Sequence, residues 1–210
     1  MDGLRRLAAG AQLANQRRND ETVLGDVIAG IGALAGRFGD APLMGRTRMQ
    51  AALPITAAHR LATWRAPLER LSREGEALAT DLAVLQFGGP VGDRSSFSDK
   101  ADQIAAHMAA TLGLRDDGCW HTDRGLIVRF GNWSAQITGA LGKIGADLCL
   151  MAQQGVDEVK IAGGGSSSAM AHKQNPIKAE LLVALARFNA VQLSGMHQEL
   201  MKLSCVKMVL

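Results

Sequence analysis

The sequence predicts an all-α protein built as a bundle of long helices, and three observations support this. Apolar residues make up 47% of the 210 residues and charged residues 20%, a balance typical of globular proteins. Aromatic residues are only 4%, while Ala, Leu and Gly abound, which favours helices packed closely through small side chains. Apolar residues also recur at spacings of three and four over long segments, without the strand–helix alternation that a parallel sheet requires.

We expect four or five helices. The first runs over residues 20–38, with Asp20 as its N-cap and a glycine directly after its last residue. Residues 40–54 break the helical periodicity and are expected to be irregular. The second helix runs over residues 56–87 and contains Pro67, where a helix can kink because proline lacks an N–H donor.

The third helix is expected from Ser98, a good N-cap, to about Leu112. The clearest signal follows it, an apolar seam continuous over about seven helical turns. Its members are Leu126, Phe130, Trp133, Ile137, Leu141, Ile144, Leu148 and Met151. Because one short chain can hardly cover so long a seam, we expect self-association through this helix. In the last helix, Asn175 is the expected N-cap and Pro176 the expected first residue.

The stretch "GGGSSSAMAHKQNPIKAE", from Gly163 to Glu180, precedes and enters that last helix. It can be interpreted as a flexible linker, as a phosphate cradle or as an anion-binding loop. The phosphate cradle is disfavoured, because neither glycine-rich nucleotide motif can be written over the stretch. In the third interpretation, Lys173 and the free N–H groups of the helix N-terminus stabilise anionic oxygens near the serines, so that a serine can act as a base.

The segment "SSSAMAHKQNP" resembles the G-S-S-x-M-P-x-K-x-N-P signature of the fumarase/aspartase superfamily. The resemblance implies that Ser167 is the catalytic base. It implies that Lys173 is a second catalytic residue, which with Asn175 holds substrate carboxylates and a carbanion-like intermediate. It also places Ser168 and Met170 in the substrate site. A serine replaces the first glycine of the signature and an alanine its proline, and neither departure removes a chemical group.

A second segment, "GRTRMQAALPIT", resembles the family's T-H-x-Q-x-A-x-P motif. This match implies that Thr47, Arg48 and Gln50 bind substrate. Arg48 replaces the histidine that serves many lyases of the superfamily as an acid or a carboxylate-binding group. The branch of bacterial 3-carboxy-cis,cis-muconate cycloisomerases is similar in lacking that histidine, and "LQFGGPVGD" and "WHTDR" also resemble this branch.

Three further residues come from these last two segments, each with an alternative role. Gln86 would line the site or only end a helix. His121 and Arg124 would contact a substrate carboxylate or only cap the long helix that follows them.

The resemblance runs from about residue 20 to residue 200 and implies the long-helix bundle of the superfamily's central domain, over residues 1–200. Family members are much longer, so most of an N-terminal domain is expected to be missing, and residues 201–210 look like an unrelated tail. The superfamily's members are homotetramers with active sites built from three subunits, which implies a homo-oligomer here.

The implied reaction is the addition of a substrate carboxylate across a double bond of the same small polycarboxylate, without a metal or an organic cofactor. One alternative is an adenylosuccinate lyase-like β-elimination, against which Arg48 counts. Another is a truncated remnant that folds without turnover.

Charge and composition exclude several other classes. The net charge of +3 is dispersed, without the basic stripe and interleaved aromatics of a nucleic-acid binder. The longest interval without a charged residue, 130–142, is shorter than the roughly 18 residues of a membrane span. The three cysteines share no close spacing, which disfavours disulfides or a zinc site and fits a cytoplasmic protein.

Overall fold

The computed structural model describes residues 9–89, 92–97, 99–120, 122–161, 165–166 and 173–201. These residues form five α-helices and two small two-stranded sheets, so the predicted all-α class is confirmed. In chain order the elements are α1 (Ala9–Phe38), β1 (Pro42–Thr47), β2 (Gln50–Thr56), α2 (Ala57–Leu82), α3 (Ala101–Leu112), α4 (Gly125–Met151), β3 (Gly165–Ser166), β4 (Gln174–Asn175) and α5 (Ile177–Gln198). None of the described helices is long and apolar enough to cross a membrane.

The described residues divide into two compact units. The first unit takes them from Met1–Val23, Arg73–Trp133 and Gln192–Leu210, and the second from Leu24–Ser72 and Ser134–Val191.

Helix α1 begins well before the predicted start. Its first residue is Ala9, so Asp20 lies inside the helix and is not an N-cap. The Asp20 carboxylate accepts a hydrogen bond from Gln16 Nε2 at 2.8 Å, one helical turn earlier. This side-chain pair stabilises the helix on its surface. The sequence had instead predicted that the Asp20 carboxylate caps the helix N-terminus. The helix ends at Phe38, directly before Gly39, as predicted.

Helix α2 ends at Leu82, before the predicted Phe87, because the chain leaves it to pair with a distant segment. Val84 forms a parallel bridge with Arg115, and the Leu85 N–H donates to the Arg115 carbonyl at 2.7 Å. These bonds engage backbone groups that a continuing helix would need. The helix passes through Pro67.

Helix α3 begins at Ala101 with Lys100 in the N-cap position and no side-chain cap. The predicted cap is therefore wrong, and Ser98 itself lies outside the described residues. The helix ends after Leu112 as predicted, because Gly113 adopts a left-handed φ of +65° and closes the last turn with its N–H.

The core of the first unit lies around the segment that follows α2. Leu82, Val84 and Leu85 are at most 2% exposed, and Phe87 packs with Ala105 and Ala109 of α3. Polar groups beside this core form hydrogen bonds with other groups of the protein. Trp120 donates from its backbone N–H to Gln86 Oε1 at 3.2 Å and from its ring N–H to the Leu85 carbonyl at 3.0 Å.

An ion-pair cluster lies beside that core. Arg94 pairs with Asp116 through two hydrogen bonds, one of them 2.9 Å from Nη1 to Oδ2, and it also pairs with Asp102. The hydrogen bonds that Arg94 donates to Asp116 lower the pKa of the Asp116 carboxyl below its ordinary value, and the same bonds raise the pKa of Arg94. Both shifts favour the charged forms, so the pair is intact at neutral pH.

The predicted seam lies on α4, and the helix spans Gly125–Met151 as expected. Trp133, Ile137, Ile144 and Met151 are buried, and the other four seam residues are half-buried in the chain itself. The seam is therefore covered within one chain, which corrects its assignment as the free apolar surface.

Helix α5 carries the exposed apolar stripe instead. Its members are 47% to 69% exposed and lie at spacings of three and four, at Ile177, Leu181, Leu185, Phe188 and Val191. The opposite side of α5 approaches α4 closely within the second unit. A Cβ added to Gly145 would lie 2.5 Å from the Ala179 carbonyl oxygen, so glycine is required at this contact.

Candidate functional site

The segment expected to be irregular forms an antiparallel hairpin of β1 and β2. Pro42 pairs with Thr56 and Thr47 with Gln50, with an irregularity in register between Met44 and Arg46. Two of the proposed substrate-binding residues, Thr47 and Gln50, thus flank the turn directly.

The hairpin turn consists of Arg48 and Met49, and both adopt positive φ angles, +49° and +66°. This is the form of a two-residue turn that glycine or asparagine normally fills. For residues with longer side chains such a backbone is strained, and strain of this kind is retained where the surrounding structure holds it, commonly at binding sites. The turn therefore presents Arg48 at a fixed, strained position.

A pocket lies beside this turn, entirely within the second unit, with a volume of about 270 Å³. Its charged walls come from the hairpin, from α2, from α4 and from the segment after α4. They are Arg46, Arg48, Arg60, Asp147 and Glu158. The remaining walls are mostly apolar and comprise Met49, Leu150, Met151, Gln153 and Val156.

The charges of the pocket are only partly paired. Arg46 forms an ion pair with Glu158, and Arg60 Nη1 lies 3.7 Å from Asp147 Oδ2. Arg48 has neither a hydrogen bond nor an ion pair among the described residues. Among the lining residues, three guanidinium groups face two carboxylates, and this excess of positive charge suits an anion.

Asp147 is fixed by more than its arginine. Trp64 donates its ring N–H to Asp147 Oδ2 at 2.6 Å, and Lys143, one turn earlier on α4, donates to the same oxygen. The carboxylate is thus held in place and compensated by neighbouring donors. Arg60 has a second feature, since its Nε is shielded from solvent and has no acceptor among the described residues.

The described part of the serine loop consists of its flanks. Gly165 and Ser166 in β3 pair with Asn175 and Gln174 in β4. Lys173 is exposed next to this sheet. Ser167, Ser168 and Met170, together with His121 from the earlier segment, lie outside the described residues.

The start of α5 corrects the predicted capping. Asn175 belongs to β4, and the helix begins at Ile177. The Pro176 carbonyl accepts the helical bond from the Glu180 N–H at 3.0 Å, so Pro176 stands where Asn175 was expected. Strand pairing of Asn175 with Gly165 accounts for the shift.

Two more predicted residues lie in the first unit. Gln86 is 7% exposed and accepts the Trp120 N–H, a bond that holds two loop segments together. Arg124 is half-buried just before α4, and its Nε has no acceptor among the described residues. Their roles in substrate binding stay predictions.

Sequence analysis missed four of the pocket's charged residues, Arg46, Arg60, Asp147 and Glu158. Arg46 lies two residues before Arg48, and residues at this spacing share one face of a strand. That spacing was the only feature of the sequence that could have indicated Arg46 as a site residue. Asp147 lies near the end of α4 and Glu158 shortly after it, but Arg60 on α2 is far from both in the chain, so only the tertiary structure brings the three together.

Comparisons with known proteins agree on the family. A family model described as a lyase matches residues 8–191. The chain is 39% identical over 156 residues to 3-carboxy-cis,cis-muconate cycloisomerase of Pseudomonas aeruginosa, covering 72% of the chain and 34% of that protein. It is 35% identical over 164 residues to the enzyme of the same name from Acinetobacter baylyi, covering 76% and 36%.

A solved structure gives the same result. The 3-carboxy-cis,cis-muconate lactonizing enzyme from Pseudomonas putida matches with a TM-score of 0.85 and 32% identity, over 92% of this chain and 43% of that one. The chain thus spans about a third of the length of the curated relatives it matches. The family model over residues 8–191, the curated relatives and the solved structure together show that this chain belongs to the lyase family of the fumarase/aspartase superfamily.

Proposed function

We propose that the chain is the central part of an enzyme of the 3-carboxy-cis,cis-muconate cycloisomerase type. In the reaction, a carboxylate oxygen forms a C–O bond with one carbon of a double bond in the same molecule. The π electrons move to the neighbouring carbon, which receives a proton. The single observation that carries the proposal is the hairpin tip, where Arg48 stands in place of the family's histidine and is left without an ion pair in the described structure.

The charges explain how such a reaction would be assisted. The carbon that receives the electrons is next to a carboxyl group, so negative charge spreads onto its oxygens, where fixed cations stabilise it. We assign one substrate carboxylate to Arg48, with Thr47 and Gln50 beside it. We assign the remaining substrate carboxylates to Lys173, which is exposed, and to Asn175.

Ser167 is the proposed proton-transfer residue, assisted by Lys173. It delivers the proton when the lactone forms and removes it, as the base, in the reverse β-elimination. No metal and no organic cofactor take part in this proposal. Ser168, Met170, Gln86, His121 and Arg124 are proposed to complete the substrate site.

The chain is proposed to act on a small polycarboxylate in the cytoplasm and as a homo-oligomer, most simply a tetramer. The exposed stripe of α5 supports association, since burying one large apolar side chain contributes about 1.5–3 kcal/mol. Light scattering on the purified chain tests this point. A stable monomer at micromolar concentration, unchanged by Leu185→Glu in the stripe, would contradict it.

Two alternatives carry different expectations. An adenylosuccinate lyase-like enzyme would cleave adenylosuccinate, whereas a non-catalytic remnant would turn over nothing. Assays of the purified chain with 3-carboxymuconate, adenylosuccinate and fumarate separate the two. Turnover of adenylosuccinate would overturn the proposed substrate.

The decisive test places residues 20–200 in a full-length relative with measurable activity. Ser167→Ala should reduce turnover on the order of 10² or more, the scale of one proton-transfer group. Ser166→Gly, which restores the residue of the signature, is the matched control at the adjacent position and should be neutral or better. If Ser166→Gly abolished activity while Ser167→Ala kept it, the proposed catalytic assignment would be wrong.

A further inference from the structure

We propose that Arg46 is a positioning residue: its ion pair with Glu158 occupies that carboxylate and keeps the Arg48 guanidinium free for a ligand. This role rests on the proposed function for the identity of the ligand, which is the substrate carboxylate assigned to Arg48. The pairing among the three side chains does not rest on it and can be measured without turnover.

Two arginines of the hairpin compete for one carboxylate. Arg46 and Arg48 both line the pocket, and so does Glu158. Within the described structure, Glu158 has one ion-pair partner, Arg46, and Arg48 has none. Opposite charges that share a pocket attract each other. The freedom of Arg48 therefore requires that another cation occupies Glu158.

The second carboxylate of the pocket is already engaged. Asp147 accepts hydrogen bonds from Trp64 and from Lys143, and its Oδ2 lies 3.7 Å from Arg60 Nη1. These three donors surround one carboxylate and leave it little attraction for a further guanidinium. Glu158 is thus the carboxylate of the lining that would capture Arg48.

Glu158 is held on a rigid support. Its N–H donates to the carbonyl of Met151, the last residue of α4, at 2.9 Å, and the preceding residue, Asp157, adopts a φ of +49°. The Glu158 side chain is only 11% exposed, and a carboxylate so little exposed is costly to leave without a counter-charge. If Arg46 were removed, the carboxylate would attract the free guanidinium of the same pocket, that of Arg48.

Arg46 is the arginine better placed for this pair. It lies in β1 opposite Ala51, so the strand ladder fixes its backbone, and its Nη1 also donates to the Met44 carbonyl at 3.3 Å. Arg48 lies in the turn, and its exposed side chain has no such bond among the described residues. A guanidinium that is already oriented loses less conformational entropy on pairing. Arg46 therefore takes the carboxylate, and Arg48 is left available.

The test measures how fast phenylglyoxal, an arginine-selective reagent, reacts with Arg48 in the complete 210-residue chain, followed by peptide mass spectrometry. Arg46→Gln should slow this reaction about threefold or more, because Glu158 then pairs with Arg48. The double variant Arg46→Gln/Glu158→Gln should return the rate to that of the original sequence. Arg46→Lys, which keeps the cation, should leave the rate within about twofold.

A matched control separates this pairing from overall charge. Arg65→Gln removes a guanidinium from an exposed ion pair with Glu69 on α2, outside the pocket lining, and should leave the Arg48 rate unchanged. Because Arg46 is itself exposed, its replacement is not expected to unfold the chain. An unchanged rate in Arg46→Gln would overturn the proposal. A double variant that reacts as slowly as Arg46→Gln would overturn it as well.

Kinetics in the full-length relative separate this role from the proposed function. There, Arg46→Gln should raise the KM severalfold with a smaller change in kcat, and adding Glu158→Gln should reverse the rise. A merely structural loss at Arg46 would not be repaired by a second loss at Glu158. If the Arg48 rates followed the expected pattern while the KM stayed constant, the substrate role of Arg48 would fall and the pairing would stand. If Arg48 reacted equally fast in every variant, the pairing would fall whatever the kinetics.

Discussion

The core of the first unit and the pocket of the second use polar side chains differently. In the first, Gln86, Arg94 and Trp120 are engaged by neighbouring groups around a core that excludes solvent. In the second, Arg48 and Arg60 face an open pocket with one charge or one donor left unmatched. Hydrogen-bonded polar groups beside a core contribute to stability, whereas an unmatched charge in an open pocket is available to a ligand. Residues of this core are therefore expected to contribute more to stability than residues of the pocket wall.

The largest expected effect is the loss of stability when a leucine is truncated in the core of the first unit, compared with the same change in the pocket wall. Leu85→Ala in the first core should lower the free energy of unfolding by about 2–5 kcal/mol, because Leu85 is fully buried and its removal leaves a cavity. Leu150→Ala, the same change in the pocket wall, should lower it by less than about 1 kcal/mol, since Leu150 is 39% exposed. Urea unfolding followed by circular dichroism measures both. Equal losses would show that the pocket wall is as important for stability as the core.

The second prediction concerns the ion pair of the first unit. Asp116→Asn should lower the free energy of unfolding at pH 7 by about 1 kcal/mol, because the bidentate bond from Arg94 is lost. Asp117→Asn removes a single, more exposed pair with Arg115 and should cost less. Unfolding in urea at pH 7 compares the two variants with the unmodified chain.

The pH dependence follows from the lowered pKa of Asp116. A carboxyl group whose pKa is lower when folded stabilises the native state above its unfolded pKa, which is about 3.9. This contribution is lost as the pH falls from there through the folded pKa. The difference between Asp116→Asn and the unmodified chain should therefore be full at pH 7 and shrink as the pH falls below about 3.9. A difference that does not shrink with falling pH would mean that the substitution acts through packing.

Sequence periodicity predicted the helices well, because apolar residues that recur at spacings of three and four over many turns fit a helix and not a strand. The seam on α4 is an example, since residues 125–151 are helical over their whole length. Which side of which helix is covered could not be predicted in the same way. The free apolar stripe belongs to α5, because α4 is covered by the rest of the chain. That property depends on tertiary contacts, which spacing along one helix does not report.

The hairpin shows why part of the site was missed. Its turn residues are Arg48 and Met49, whereas the usual signals of such a turn are Asn-Gly or Asp-Gly. Pro42 in β1 and Pro54 in β2 are also a residue type that strands disfavour. The motif nonetheless indicated Thr47, Arg48 and Gln50 as site residues. Resemblance thus indicated three proposed site residues, and only the structure supplied the backbone that presents them.

The last prediction concerns that strained turn and has the smallest expected effect. Met49→Gly should raise the free energy of unfolding by about 0.5 kcal/mol, because glycine adopts a φ of +66° without strain and this gain exceeds the added entropy of the unfolded chain. Leu53→Gly, in the adjoining strand β2, is the control. Leu53 is 73% exposed and is not among the residues with positive φ, so its replacement should lower stability by about 0.5–1 kcal/mol. A variant that became less stable would show that the turn is unstrained.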